Sequence, residues 1–210
     1  MSSISIIGLG NMAGTLADRA LAGGNAVEII GRNPVKAKEL AAALDGATVG
    51  AAGNTPAGDI VILAVPYASA SAVISEYGDA LRGKVIVDIT NPVNPDLTGF
   101  VTPAGSSGAQ EIAKAAPAGA HVIKAFNTLF ANVLAAGSAE GRPVDVFIAG
   151  DDAPAKARVS AFIESLGLRQ MDAGPLPMAG ALENAGLLEM SLMTHSVKHT
   201  NFFLGVNILS

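Results

Sequence analysis

The sequence predicts an α/β chain, with helices on both faces of a parallel sheet and a small helical segment at the C-terminus. Three observations predict it. Short apolar runs alternate with helix-like stretches along all 210 residues. The runs are continuous rather than alternately polar, as strands covered on both faces require. The first run opens straight into a glycine-rich turn and a helix, "SIIGLGNMAGTLA".

Each element follows from local chemistry. Ser3–Gly8 reads as the first strand and Ala13–Ala22 as a helix that Gly23-Gly24 closes, because glycine accepts a left-handed cap. Ala26–Ile30 is the second strand. Asn33-Pro34 opens a helix to about Leu44, with Asn as cap and Pro in the first turn. Thr48–Ala51 and Ile60–Val65 are further strands, Tyr67–Tyr77 a helix and Val85–Ile89 a strand. A Gly/Ser/Pro-rich loop spans Asp96–Gly108. Then come a helix at Ala109–Ala115, a strand at His121–Ala125, a helix at Leu129–Ala136 and a strand at Val144–Gly150. Asp152-Ala153-Pro154 starts a helix to about Leu166, and Leu168–Asp172 is a strand. Met178–His199 reads as one long helix before the apolar ending "NFFLGVNIL".

Composition narrows the function. Half the residues are hydrophobic and 4% aromatic, so the core is aliphatic. The net charge of −5 and the absence of a basic run argue against a nucleic-acid surface. With no cysteine there are no disulfides or thiolate metal sites. No apolar run approaches the length of a membrane span, and the start lacks a signal-peptide pattern. The expectation is a cytoplasmic protein with no membrane partner.

The glycines point to a dinucleotide. Strand, then Gly8-x-Gly10-x-x-Ala13, then helix is the arrangement that cradles a pyrophosphate. Gly8 permits the turn, Gly10 lets the phosphates approach, and Ala13 lets the helix lie on the strand. Leu9, Asn11 and Met12 complete the loop. The second strand ends "EIIGRNPVKAK". Glu28 lies too early to accept from a ribose, whereas Arg32, beside Gly31, Asn33 and Lys36, suits a 2′-phosphate. That favours NADP(H). "AVPY" (Ala64, Val65, Pro66) and "ITNP" (Asn91, Pro92) follow strands and should border the nicotinamide half, since ligands sit at the carboxyl ends of such sheets. Pro66 and Pro92 also read as strand terminators. Asn127 of "KAFNT" either contacts a ligand or caps the next helix.

His195 and His199 lie four apart, but no nearby Glu completes a zinc-protease pattern, so no metal site is expected. Met178, Met190 and Met193 read as filler. No lysine or arginine stands between Arg169 and Lys198, so the lysine proton donor of hydroxy-acid dehydrogenases has no counterpart there. No catalytic acid is assigned.

The pieces "IIGLGNMAGTLA", "GRNPVKA", "VILAVPY", "VDITNP", "VIKAFNT" and "GALENAGLLEM" resemble the NADPH-dependent coenzyme F420 reductases over the whole chain. They are also similar to the cytosolic reductase domain of the STEAP metalloreductases. The resemblance implies a Rossmann-type fold and hydride transfer between NADP(H) and a deazaflavin (coenzyme F420) or flavin. It implies an NADP site at Gly8–Met12, Gly31, Arg32, Asn33 and Lys36. Ala64, Val65 and Pro66 would border the nicotinamide, and Asn91, Pro92 and Asn127 the second ring. The expected division is an NADP-binding domain over residues 1–175 and a helix and tail over 176–210 completing the acceptor site. A homodimer is expected. A flavin or ferric reductase and a non-catalytic NADP-binding sensor are the alternatives.

Overall fold

The computed structural model describes residues 1–139 and 141–209; Glu140 and Ser210, the last residue of the expected 176–210 segment, lie outside them. The chain runs β1 (Ser3–Ile7), α1 (Asn11–Ala22), β2 (Ala26–Ile30), α2 (Pro34–Ala42), β3 (Thr48–Gly50), β4 (Ile60–Leu63), α3 (Tyr67–Tyr77) and β5 (Val85–Asp88). It continues through α4 (Gly108–Ala115), β6 (His121–Lys124), α5 (Ala131–Ala136), β7 (Ser138–Ala139), β8 (Arg142–Pro143), β9 (Asp145–Ile148), α6 (Ala153–Ser165), β10 (Arg169–Asp172) and α7 (Ala179–Leu192).

Six strands form one parallel sheet in the order β3-β2-β1-β4-β5-β6. This is the doubly wound Rossmann order, whose ligand crevice lies where the order reverses, between β1 and β4. Successive side chains of each strand face opposite ways, so both faces need apolar residues. Ile4, Ile6, Ile29 and Ile62 pack on one side with Leu16 of α1 and Phe162 of α6. Ile7, Val61, Leu63 and Ile86 pack on the other with Ile74 of α3 and Ile112 of α4.

Helix starts obey capping chemistry. The Asn33 side chain accepts from the N–H of Val35 and Lys36 ahead of α2, and Asp152 accepts from Ala155 ahead of α6. Ser107 and Gln110 form a reciprocal capping box on α4. The loop before α4 also holds a small hairpin, with Val93 bridged to Phe100.

Two expectations fail. β9 and β10 do not extend the parallel sheet. They pair with each other and meet β6 antiparallel at one point, where Lys124 and Ala149 exchange bonds of 2.8 and 3.1 Å. A parallel continuation is usually carried by a crossover helix. The connection from β6 to β9 holds only the six-residue α5 and the β7–β8 hairpin.

Nor does the last helix reach His199. It ends at Leu192, passes through a π-helical turn over Met193–Val197, and stops at Lys198 in the left-handed region. Thr194 donates its hydroxyl to the Met190 carbonyl, a local bond that competes with the regular helix ladder.

Candidate functional site

The carboxyl ends of β1, β2 and β4 frame a cavity of about 350 Å³. Gly8, Leu9, Gly10, Gly31, Arg32, Asn33, Ala64, Val65 and Pro66 line it, with Glu76 and Tyr77 of α3 behind. At its floor α1 begins on Gly10, which offers no side-chain cap. The first N–H groups of α1 therefore lack intrahelical and side-chain acceptors, and with the helix dipole they favour an anion.

The glycines differ in what they do. Gly8 has φ +142, and a Cβ there would lie 2.0 Å from the Ala64 carbonyl oxygen, so β1 and β4 need a glycine to close up. A Cβ on Gly10 would meet nothing within 4 Å. At Gly31 the space is not open for a phosphate, because a Cβ would lie 2.5 Å from the Leu9 side chain that fills it. Arg32 is exposed on the rim with no ion pair among the described residues. Glu28 points back along the sheet, accepting from the Ser5 hydroxyl at 2.5 Å and the Ala57 N–H at 2.9 Å. Lys36 is exposed in the first turn of α2 and lies outside this lining.

A second cavity, about 290 Å³, starts where the first stops: Asn11 and Met12 line it, with Asn91, Phe126, Asn127 and Phe130 from the loops after β5 and β6. Gly186, Glu189 and Met190 of α7 close its far side. Asn91 and Asn127 are locked together. The Asn127 amide donates to Asn91 Oδ1 at 2.9 Å and to the Leu182 carbonyl at 2.9 Å, and the Asn91 amide donates to the Asn127 carbonyl at 2.8 Å. Asn127 does not cap α5, which begins on Phe130. It is aimed by Phe126, which holds φ +61, an uncommon state for a bulky residue that costs about 1–3 kcal/mol. Pro92 is buried beside Gly108 and lies outside both linings.

Behind this cavity lies a charge cluster that the sequence reading missed. Lys124 is fully buried, and its Nζ reaches Asp88 Oδ2 at 2.8 Å, Glu183 Oε1 at 2.9 Å and the Thr90 carbonyl at 2.5 Å. Glu183 also accepts from the N–H groups of Gly108 and Ala109, at 3.0 and 3.2 Å, at the start of α4. The cluster joins β5, β6, α4 and α7. One signal was available: Asp88 and Lys124 each end a continuous apolar strand, and the register pairs them.

Glu189 was also missed. It is 3% exposed, and its Oε1 accepts from the Leu204 N–H at 3.2 Å. Burial pushes its carboxyl up to about 7 from 4.5, opposed only by that N–H bond. The folded chain thus keeps a proton that the unfolded chain releases as pH climbs past 4.5, so folding weakens as pH rises toward 7. In the ligand-free protein, the melting temperature of Glu189→Gln should fall less than that of the wild type over this window. Parallel melting curves would count against this.

The tail does not line either cavity. It runs over β9, where Asp145 accepts from the Val206 N–H at 2.7 Å and pairs with Arg169, which donates to the Val206 carbonyl. Burial alone would raise the Asp145 carboxyl, but Arg169 and Val206 together hold it below its ordinary value. Phe202 packs on Phe130, ring centroids 5.5 Å apart. His195 and His199 are exposed, and no group of three possible metal ligands occurs among the described residues. No helix among them is long and apolar enough to cross a membrane.

Comparison with known proteins adds the family. Residues 3–92 match the family described as NADP oxidoreductase coenzyme F420-dependent. Metalloreductase STEAP3 of Rattus norvegicus is 32% identical over 181 residues, which is 86% of this chain. The chain spans about a third of the length of that curated relative. A protein from Arthrobacter sp. FB24, provisionally assigned as an F420-dependent NADP-reductase, superposes with a TM-score of 0.87 at 25% identity, covering 99% of this chain and 100% of that one. A hypothetical protein from Sinorhizobium meliloti superposes with a TM-score of 0.78 at 30% identity, covering 86% and 88%. Residues 3–92, the stretch that builds the first cavity, are thus the part of the chain that matches the family of coenzyme F420-dependent NADP oxidoreductases.

Proposed function

We propose that the protein transfers hydride between NADP(H), held in the first cavity, and a deazaflavin or flavin ring seated in the second. One observation carries this reading. Two cavities open at the carboxyl ends of the strands, their linings adjoining at Gly10 and Asn11: the first lies on the bare start of α1, with Arg32 at its rim in no ion pair among the described residues, and the second includes Asn11 and Met12. The chain fits a dinucleotide because Gly10 leaves open space where a pyrophosphate must approach.

Bound NADPH supplies a hydride from its nicotinamide. The protein's own work is to hold and orient. The N–H groups of α1 hold the pyrophosphate, and Arg32 pairs with the 2′-phosphate. Ala64, Val65 and Pro66 wall the nicotinamide side, and the locked Asn91–Asn127 pair presents a fixed polar surface to the second ring. Such positioning and exclusion of water account for most of what hydride transfer asks of a protein. A second reading, drawn from the name of the STEAP3 relative, has the reduced ring pass its electrons to a metal ion as substrate.

Stopped-flow mixing of the NADPH-loaded protein with F420, FMN and FAD in parallel tests the proposal. NADPH oxidation with one of the rings is expected; binding without oxidation would leave a redox sensor. Arg32 carries the cofactor choice. A charge-assisted bond is worth about 1.5–3 kcal/mol, so Arg32→Ala should weaken NADPH by roughly 10- to 150-fold and leave NADH nearly unchanged. Equal losses for both would remove the 2′-phosphate role.

A further inference from the structure

Hydride transfer to a ring leaves a proton to be supplied. The hydride breaks its bond to the nicotinamide and forms one to the acceptor, which then carries two more electrons and one negative charge. One proton must reach a ring nitrogen or oxygen to restore the balance: NADPH plus acceptor plus one proton gives NADP⁺ plus the doubly reduced, protonated acceptor. Among the residues lining the second cavity, Glu189 is the one titratable side chain. We propose that Glu189 is the proton donor to the acceptor ring, and the proton acceptor in the reverse direction. This rests on the hydride-transfer reading above.

The geometry places the group where the proton is needed. Glu189 of α7 lines the same cavity as Asn11 and Met12 of α1, and only one of its oxygens has a protein partner among the described residues, the Leu204 N–H. An N–H donor can hold one oxygen while the other keeps a proton. Its surroundings make it hold its proton far above the usual carboxylate range: burial raises the carboxyl to about 7, and no neighbouring charge contributes.

The charges on the elements around it are engaged or outward. On α7, Glu183 is bonded to Lys124. On α1, Arg19 donates to the carbonyl oxygens of Ala135 and Leu166, and Asp18 is exposed. Beyond α7, His195, Lys198 and His199 are exposed, and beside the tail Asp145 is paired with Arg169. The loop from Phe126 to Ala131 carries no charge. A carboxyl that changes state near pH 7 is suited to giving up and regaining a proton in one cycle.

Two measurements test this. In the ligand-free protein, ¹³C labelling of glutamate side chains, with Glu189→Gln for assignment, should give a Glu189 carboxyl that titrates near 7, apart from the other glutamates. In stopped flow, with whichever of F420, FMN and FAD oxidises NADPH fastest, the wild-type rate should fall as pH rises through the same midpoint. Glu189→Gln should lose that limb and run roughly 10²-fold slower at low pH, with NADPH binding within a few-fold. A Glu189 carboxyl that titrates with ordinary glutamates, or a Gln variant that keeps the wild-type pH profile, overturns the assignment while leaving hydride transfer standing. A wild type that binds NADPH and reduces none of the three rings overturns the hydride-transfer reading, and this assignment with it.

Discussion

Gly10→Val should abolish NADPH binding and leave the fold intact, whereas Gly8→Ala should damage the fold itself. The two glycines are two residues apart, and the motif assigns the turn to Gly8 and the phosphate approach to Gly10. The structure adds the steric reason. Space beyond Gly10 is open, a Cβ there meeting nothing within 4 Å, so a valine is expected to fill the approach to the N–H groups of α1 without breaking the fold. Blocking two charge-assisted bonds to a pyrophosphate removes about 3–6 kcal/mol, a factor of roughly 10²–10⁴ in affinity. At Gly8 even one methyl would lie 2.0 Å from the backbone oxygen of Ala64, and φ +142 is poorly tolerated by other residues. The central β1–β4 pair must then part, at a cost of about 1–3 kcal/mol or more. Calorimetric titration with NADPH and circular dichroism, run on both variants, decide the matter. A folded Gly10→Val protein with undiminished affinity would move the cofactor away from α1.

The sheet was legible because its signals are local. β2 and α3 fall where the pattern put them, since each is bounded by glycine, proline or asparagine. The parallel pairing was legible too, because "IVIL" and "VIVD" leave no polar face for solvent. What escaped notice depends on residues far apart in the chain. The reversed edge at β9 goes with a short α5 and the β7–β8 hairpin. The end of α7 comes with a π-helical turn and the left-handed Lys198, which no cap residue in the sequence announces. Glu189 was missed, because nothing local says that this helix glutamate will be buried and bonded to the tail. Lys124 escaped notice as the centre of a charge cluster, because its partners lie 36 and 59 positions away.

That buried lysine carries the largest stability prediction. Lys124→Met keeps most of the apolar stem and removes the ammonium with its hydrogen bonds. It leaves Asp88 and Glu183, both buried, without their common cation. Breaking a buried pair from one side costs about 3–5 kcal/mol, far more than the intact pair is worth, because an uncompensated charge stays out of water. For a chain of this size each kcal/mol shifts the melting temperature by about 2–4 °C, so a fall of roughly 6–20 °C is expected. Glu183 should suffer less than Asp88, since two N–H groups of α4 still face it. Adding Asp88→Asn to Lys124→Met should therefore recover more stability than adding Glu183→Gln. The damage should centre where β5, β6 and α7 meet, at the Asn91–Asn127 pair, and spare the β1–α1 turn. NADPH should then still titrate into the folded Lys124→Met protein with near wild-type affinity, while hydride transfer to a flavin or deazaflavin slows. A melting temperature within about 2 °C of wild type would mean that the two carboxylates find other partners, and that the cluster does not hold the second cavity together.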